Sequence, residues 1–199
     1  MKPTSEQLDI LTELINIGVG QAAGTLNEMI EFPIQLRVPF IKILPMVELE
    51  NQLVENFQQD SLSVVQLNFQ ESFIGNANLI FPKESAVTLV SLLTDEKPES
   101  SKLNLLKIGT LTEVGNILLN NVIGSISNIL QTPMRYLLPF YTEGNIDTIV
   151  LSKETKSNSP VILATTCFEV KELEIKGDII LIFQVDSFKN LLSALEELE

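Results

Sequence analysis

Histidine is absent from the 199 residues, tryptophan is absent too, and cysteine occurs once, as Cys167. The missing histidine excludes hydrolysis by a Ser-His-Asp triad, a phosphohistidine relay and any metal site that needs an imidazole. A single thiol excludes an intrachain disulfide and a thiolate cluster, and it suits a reducing, cytoplasmic setting. Basic residues are scarce: 13 stand against 26 acidic ones, for a formal charge of −13. That field repels a phosphate backbone, so no nucleic acid partner is expected. No apolar run approaches the roughly 20 residues that span a bilayer. The first residues, Met1 to Gln7, lack the apolar stretch of a signal peptide, so neither membrane insertion nor secretion is expected. Any catalysis must draw on carboxylates, amides, hydroxyls or lysines.

Hydrophobic residues make up 45% of the chain, which suffices for a packed core. The chain also repeats itself. Glu13 and Asn16 have counterparts in Glu113 and Asn116, and Pro39 has one in Pro139, all 100 positions on. The run from Gly75 through Leu79, Ile80 and Phe81 returns as Gly177 through Leu181, Ile182 and Phe183, now 102 positions on. The match continues through Ser85 and Ser187, Leu89 and Leu191, and Ser91 and Ser193. Two homologous halves, 1–96 and 101–199, account for these pairs, with a polar, proline-bearing join over 94–101.

Each half reads in the same order. Thr4 and Gln7 have capping-box spacing ahead of an apolar period that predicts a helix to about Ile30, with a counterpart from Leu103 to Leu130. Alternating β-branched and polar residues predict strands over 35–44, 62–69 and 73–81 in the first half. In the second half they predict strands over 135–141, 161–170 and 173–183, with a further short one over 147–151. Amphipathic helices over 84–93 and 187–195 close the halves, and 47–56 reads as a short extra helix. A second loop is expected over 153–159. Neither half has enough strands to cover its own sheet, so one pseudo-symmetric α+β domain with a shared core is expected over 1–199.

At 100° per residue, Asp9, Glu13, Asn16 and Gly20 fall on one narrow polar strip of an otherwise apolar helix. Gly109, Glu113, Asn116 and Asn120 form the matching strip of the twin. Gly18, Gly20 and Gly115 are poor helix residues, admitting either a close partner surface or tight helix packing. A Glu and an Asn three apart usually make only a solvated face. Their retention in both of two heavily diverged helices favours a function. Asparagine cannot act as a base near neutrality, but its amide can orient a water molecule. Glutamate can accept a charge-assisted hydrogen bond from a lysine. Such a pair serves a substrate that is already activated, as an acyl phosphate is, because phosphoryl transfer depends mainly on in-line positioning and charge stabilisation.

The spacing of these residues resembles the CheC/CheX/FliY family of chemotaxis phosphatases, whose pattern is Asp or Ser, Glu four residues on, Asn three further and Pro twenty-three beyond that. Asp9, Glu13, Asn16 and Pro39 match it in full; Glu113, Asn116 and Pro139 match it with Gly109 in the Asp/Ser position. Two Glu/Asn pairs make the chain similar to the CheC-type members. The resemblance implies an α+β fold with antiparallel strands and two long active-site helices. It also implies hydrolysis of the aspartyl phosphate of a response regulator such as CheY. Asn16 and Asn116 would orient the water, Glu13 and Glu113 would pair with the regulator's lysine, and Asp9 would support the first site. Pro39 and Pro139 would shape the chain beside each helix, as suits a residue with fixed φ and no amide donor. The chain would need no cofactor of its own, the magnesium ion being the regulator's. A CheD-type receptor deamidase is a further partner the resemblance brings in. The alternative is a non-catalytic adaptor of the same fold that binds a response regulator or CheD.

Overall fold

In the computed structural model, which describes residues 3–29, 33–57, 61–94, 105–145, 159–170 and 172–198, helix α1 spans Ser5–Met29. Its start follows from a reciprocal cap: the Thr4 amide donates to Gln7 Oε1 at 2.9 Å, and the Gln7 amide donates to Thr4 Oγ1 at 3.1 Å. Strand β1 (Ile34–Pro45), helix α2 (Met46–Phe57), strands β2 (Leu62–Glu71) and β3 (Gly75–Pro82) and helix α3 (Lys83–Thr94) complete the first half. Helix α4 (Leu105–Ile129), strands β4 (Met134–Tyr136), β5 (Phe140–Gly144), β6 (Pro160–Val170) and β7 (Leu173–Phe183) and helix α5 (Val185–Glu196) form the second. The short helix read over 47–56 is α2, and the strand read over 173–183 has those same ends. The strand read over 147–151, most of the join over 94–101 and most of the loop over 153–159 lie outside the described residues.

One expectation is corrected. Residues 135–141 do not form one strand; they divide into β4 and β5, with Leu137 to Pro139 between them. Tyr136 pairs with Phe69 and Phe140 with Gln66, so this edge gains one residue on β2 across the break. Pro139 lies in it and has no amide hydrogen to continue the ladder. The opposite edge behaves alike. Arg37 pairs with Cys167 and Phe40 with Thr165, a register shift of one residue at Val38 and Pro39. Pro39 therefore sits on one edge strand and Pro139 in the break along the opposite edge, where a missing donor costs no ladder bond.

All pairings are antiparallel, in the order β1-β6-β7-β3-β2-β4, with β5 also on β2. Exchanging β1 with β4/β5, β2 with β6 and β3 with β7 reverses this order and leaves it unchanged. At the centre, Asn78 pairs with Ile180, Ala77 with Leu181 and Leu79 with Ile179. Asn78 and Ile180 are 102 positions apart, the offset of the matching segments around Gly75 and Gly177, so the register is symmetric about that pair.

Burial follows the two-residue period of each strand. Val65, Leu67 and Phe69 of β2, Ala77, Leu79 and Phe81 of β3, and Ile179, Leu181 and Phe183 of β7 face the main core with α1, α3, α4 and α5. The alternate residues Leu62, Val64, Ile80, Val161, Leu163, Ile180 and Ile182 face the other side, where Met46, Leu49 and Leu53 of α2 cover them. The core joins the halves directly. Phe69 meets Phe183 edge-on at 5.3 Å, and Phe81 meets Phe168 at 5.2 Å, each pair taking one ring from either half.

Candidate active site

Helices α1 and α4 are 25 residues each and lie against one another on the same face of the sheet. Their contact is close because of small residues. A Cβ at position 18 would lie 2.6 Å from the Asn121 carbonyl oxygen and from Val122 Cα, and one at position 115 would lie 2.6 Å from a Val65 methyl. Gly18 and Gly115 are thus packing glycines. Gly20 is not: nothing stands within 4 Å of a Cβ there. Across the seam Ser125 Oγ donates to the Leu14 carbonyl at 2.6 Å.

This packing turns Leu11, Leu14, Ile15, Val19, Ala22 and Leu26 inward and leaves the polar strip outside. Asp9, Glu13 and Asn16 are exposed on one face of α1. Among the described residues their side chains have no hydrogen-bond or ion-pair partner. On α4, Gly109 and Glu113 are exposed and Asn116 is half-buried. Thr12 and Thr112, each one residue before the glutamate, donate to the carbonyl four residues back, Leu8 and Ile108, both at 2.7 Å. These hydroxyls are satisfied by their own helices and do not compete for the carboxylates.

The structure brings Asp9, Glu13 and Asn16 together on α1, and Glu113 with Asn116 on α4. Pro39 and Pro139 are not on the helices: Pro39 is on edge strand β1 and Pro139 is in the break between β4 and β5. One residue on the strip has a contact the sequence reading gave it no part in. Asn120 Nδ2 donates to Asn116 Oδ1 at 2.6 Å. The signal was present as two asparagines four apart, neighbours on a helix surface. Among the described residues, no group of three or more Cys, Asp or Glu side chains is placed to hold a metal ion. No described helix is long and apolar enough to cross a membrane.

The chain is similar to several known proteins. A CheC-like family model matches residues 6–43, the segment that holds Asp9, Glu13, Asn16 and Pro39. The chain is 26% identical over 203 aligned positions to the CheY-P phosphatase CheC of Bacillus subtilis (strain 168), covering 96% of this chain and 94% of that one. The crystal structure of Thermotoga maritima FliY superposes with a TM-score of 0.77 at 20% identity, over 100% of both chains. The FliM middle domain from H. pylori superposes with a TM-score of 0.72 at 9% identity, over 96% of this chain and 99% of that one. These two likenesses establish a shared fold and leave the chemistry to the residues on the helices. The motif-bearing segment, the near full-length similarity and the fold thus all make the chain similar to CheC-like proteins.

Proposed function

We propose that the protein is a phosphatase acting on the aspartyl phosphate of a response regulator such as CheY. The observation that carries this reading is the outward placement of two Glu/Asn pairs, one on each of two adjacent helices of equal length. An exposed amide on a rigid helix can enter a partner's pocket and align a water with the phosphorus, with no base needed on this chain. Asn16 and Asn116 take that role. Glu13 and Glu113, one turn before them, pair with the lysine of the regulator's pocket and fix the docked geometry. Asp9 adds a carboxylate at the first site, where Gly109 leaves the second without one. Pro39 and Pro139 shape the edge strands and touch no substrate. The magnesium ion belongs to the regulator, and the chain needs no cofactor of its own.

On this reading the single domain 1–199 arose by internal duplication of halves 1–96 and 101–199, and α1 and α4 are its two active-site helices. The symmetric strand order and the symmetric register about Asn78 and Ile180 support it. The setting is cytoplasmic, where response regulators work, and a CheD-type deamidase is a further partner. The FliM likeness favours a second reading, a non-catalytic adaptor that binds a regulator without hydrolysing its phosphate. The deciding experiment follows the loss of radiolabel from phosphorylated CheY of B. subtilis with and without this protein. Faster loss supports the phosphatase; a stable complex with unchanged decay supports the adaptor.

A further inference from the structure

The spacing of the two motifs hides a difference between the sites. Position 120 stands to Asn116 as position 20 stands to Asn16, but one is asparagine and the other glycine. At the second site Asn120 Nδ2 donates to Asn116 Oδ1 at 2.6 Å. At the first, residue 20 has no side chain, and Asn16 has no hydrogen-bond partner among the described residues.

The direction of the contact matters. Helical side chains lean toward the N-terminus, so Asn120 reaches back over Asn116, and Asn116 keeps its own outward direction. A carboxamide has two acceptor lone pairs and two N–H donors. Asn120 uses one lone pair, which leaves the second lone pair and both donors of Asn116 for a water. On the side toward the N-terminus, residue 109 is glycine, and Thr112 is bonded to Ile108. Asn116 is accordingly held in one orientation while remaining half-exposed.

We infer that Asn120 is a positioning residue of the second site, presetting the Asn116 carboxamide before a regulator docks, whereas Asn16 is ordered only by docking. This rests on the phosphatase reading. Ordering a rotamer-rich side chain on docking costs about 0.5–1.5 kcal/mol, which corresponds to roughly two- to tenfold in kcat/KM.

The test isolates each site. In an Asn16→Ala background only the second site can act on phosphorylated B. subtilis CheY. Adding Asn120→Ala there lowers kcat/KM about two- to tenfold, through a raised KM, with thermal unfolding unchanged. In an Asn116→Ala background, Gly20→Asn raises the first-site kcat/KM by a similar factor; the open space at residue 20 admits the side chain. Side-chain amide NMR provides a readout apart from activity: the Asn116 order parameter falls in Asn120→Ala, and that of Asn16 rises in Gly20→Asn. Equal kcat/KM with and without Asn120 overturns the inference and leaves the phosphatase reading intact. So does acceleration by the wild type that Asn16→Ala abolishes, since no second-site rate then remains to be tuned. No acceleration by the wild type overturns the phosphatase reading and the inference with it.

Discussion

Gly18 of α1 is pressed against Val122 of α4, with space for a hydrogen but not for a methyl: a Cβ there would come within 2.6 Å of Val122 Cα. The obstacle is backbone, which cannot swing aside as a side chain can. Gly18→Ala must push the helices apart, at a cost of about 1–3 kcal/mol. Gly20→Ala meets nothing and gains up to about 1 kcal/mol of helix propensity. Urea unfolding of the two variants should move the midpoint in opposite directions.

Gln7 ties both ends of the fold together. Its oxygen caps α1, and its Nε2 lies 3.1 Å from the Leu192 carbonyl and 2.9 Å from Glu196 Oε1 on α5. Gln7→Ala removes a buried amide together with its bonds to the buried Leu192 carbonyl and to Glu196, and should cost roughly 1–3 kcal/mol. Thr4→Ala removes only the cap and should cost about 1 kcal/mol. Chemical denaturation that ranks Thr4→Ala above Gln7→Ala in cost would contradict this division.

Cys167 lies in β6 and is 9% exposed. Burial, helped by the nearby Glu174 carboxylate, pushes its thiol above the ordinary value, against smaller lowering effects of Arg37 and Lys176. Burial likewise raises the Tyr136 and Tyr141 hydroxyls. The folded state thus holds these protons more tightly than the unfolded chain. The associated stability is complete below about pH 8.5, the ordinary thiol value, and is lost as pH rises toward the raised folded values. Midpoints of urea unfolding should fall above that pH, and Cys167→Ala should flatten the first part of the fall. Native protein should react slowly with a thiol reagent at pH 8 and rapidly once unfolded.

The two glutamates should act on binding rather than on chemistry. Glu13→Gln together with Glu113→Gln removes the charge offered to the regulator's lysine and should raise KM about tenfold. The wild-type KM should rise with salt and that of the variant less so. Both side chains are exposed, so thermal unfolding should not move.

Helix placement was legible because burial on one side imposes a 3.6-residue period, and the Thr4–Gln7 cap marks where it begins. Strands β2, β3, β6 and β7 were legible for the same reason at period two, with one face of each turned to the main core and the other toward α2. The break between β4 and β5 was not. Residues 135–141 look like one strand, and only their pairing with β2, where the Leu137 amide donates to the Asn68 carbonyl, divides them. The glycines carried two meanings that spacing cannot separate. What lies opposite decides: helix backbone at Gly18, the Val65 side chain at Gly115 and open space at Gly20. The polar strips were visible as a helical period, but the Asn120 contact depends on a rotamer and so appears only in three dimensions.

The most direct measurement is the decay of radiolabelled, phosphorylated B. subtilis CheY with wild-type protein and with the double variant Asn16→Ala, Asn116→Ala. The double variant should return decay to the intrinsic rate of the regulator, while it still folds and still binds beryllofluoride-activated CheY. A double variant that accelerates decay as fast as the wild type would contradict the assignment of the two amides.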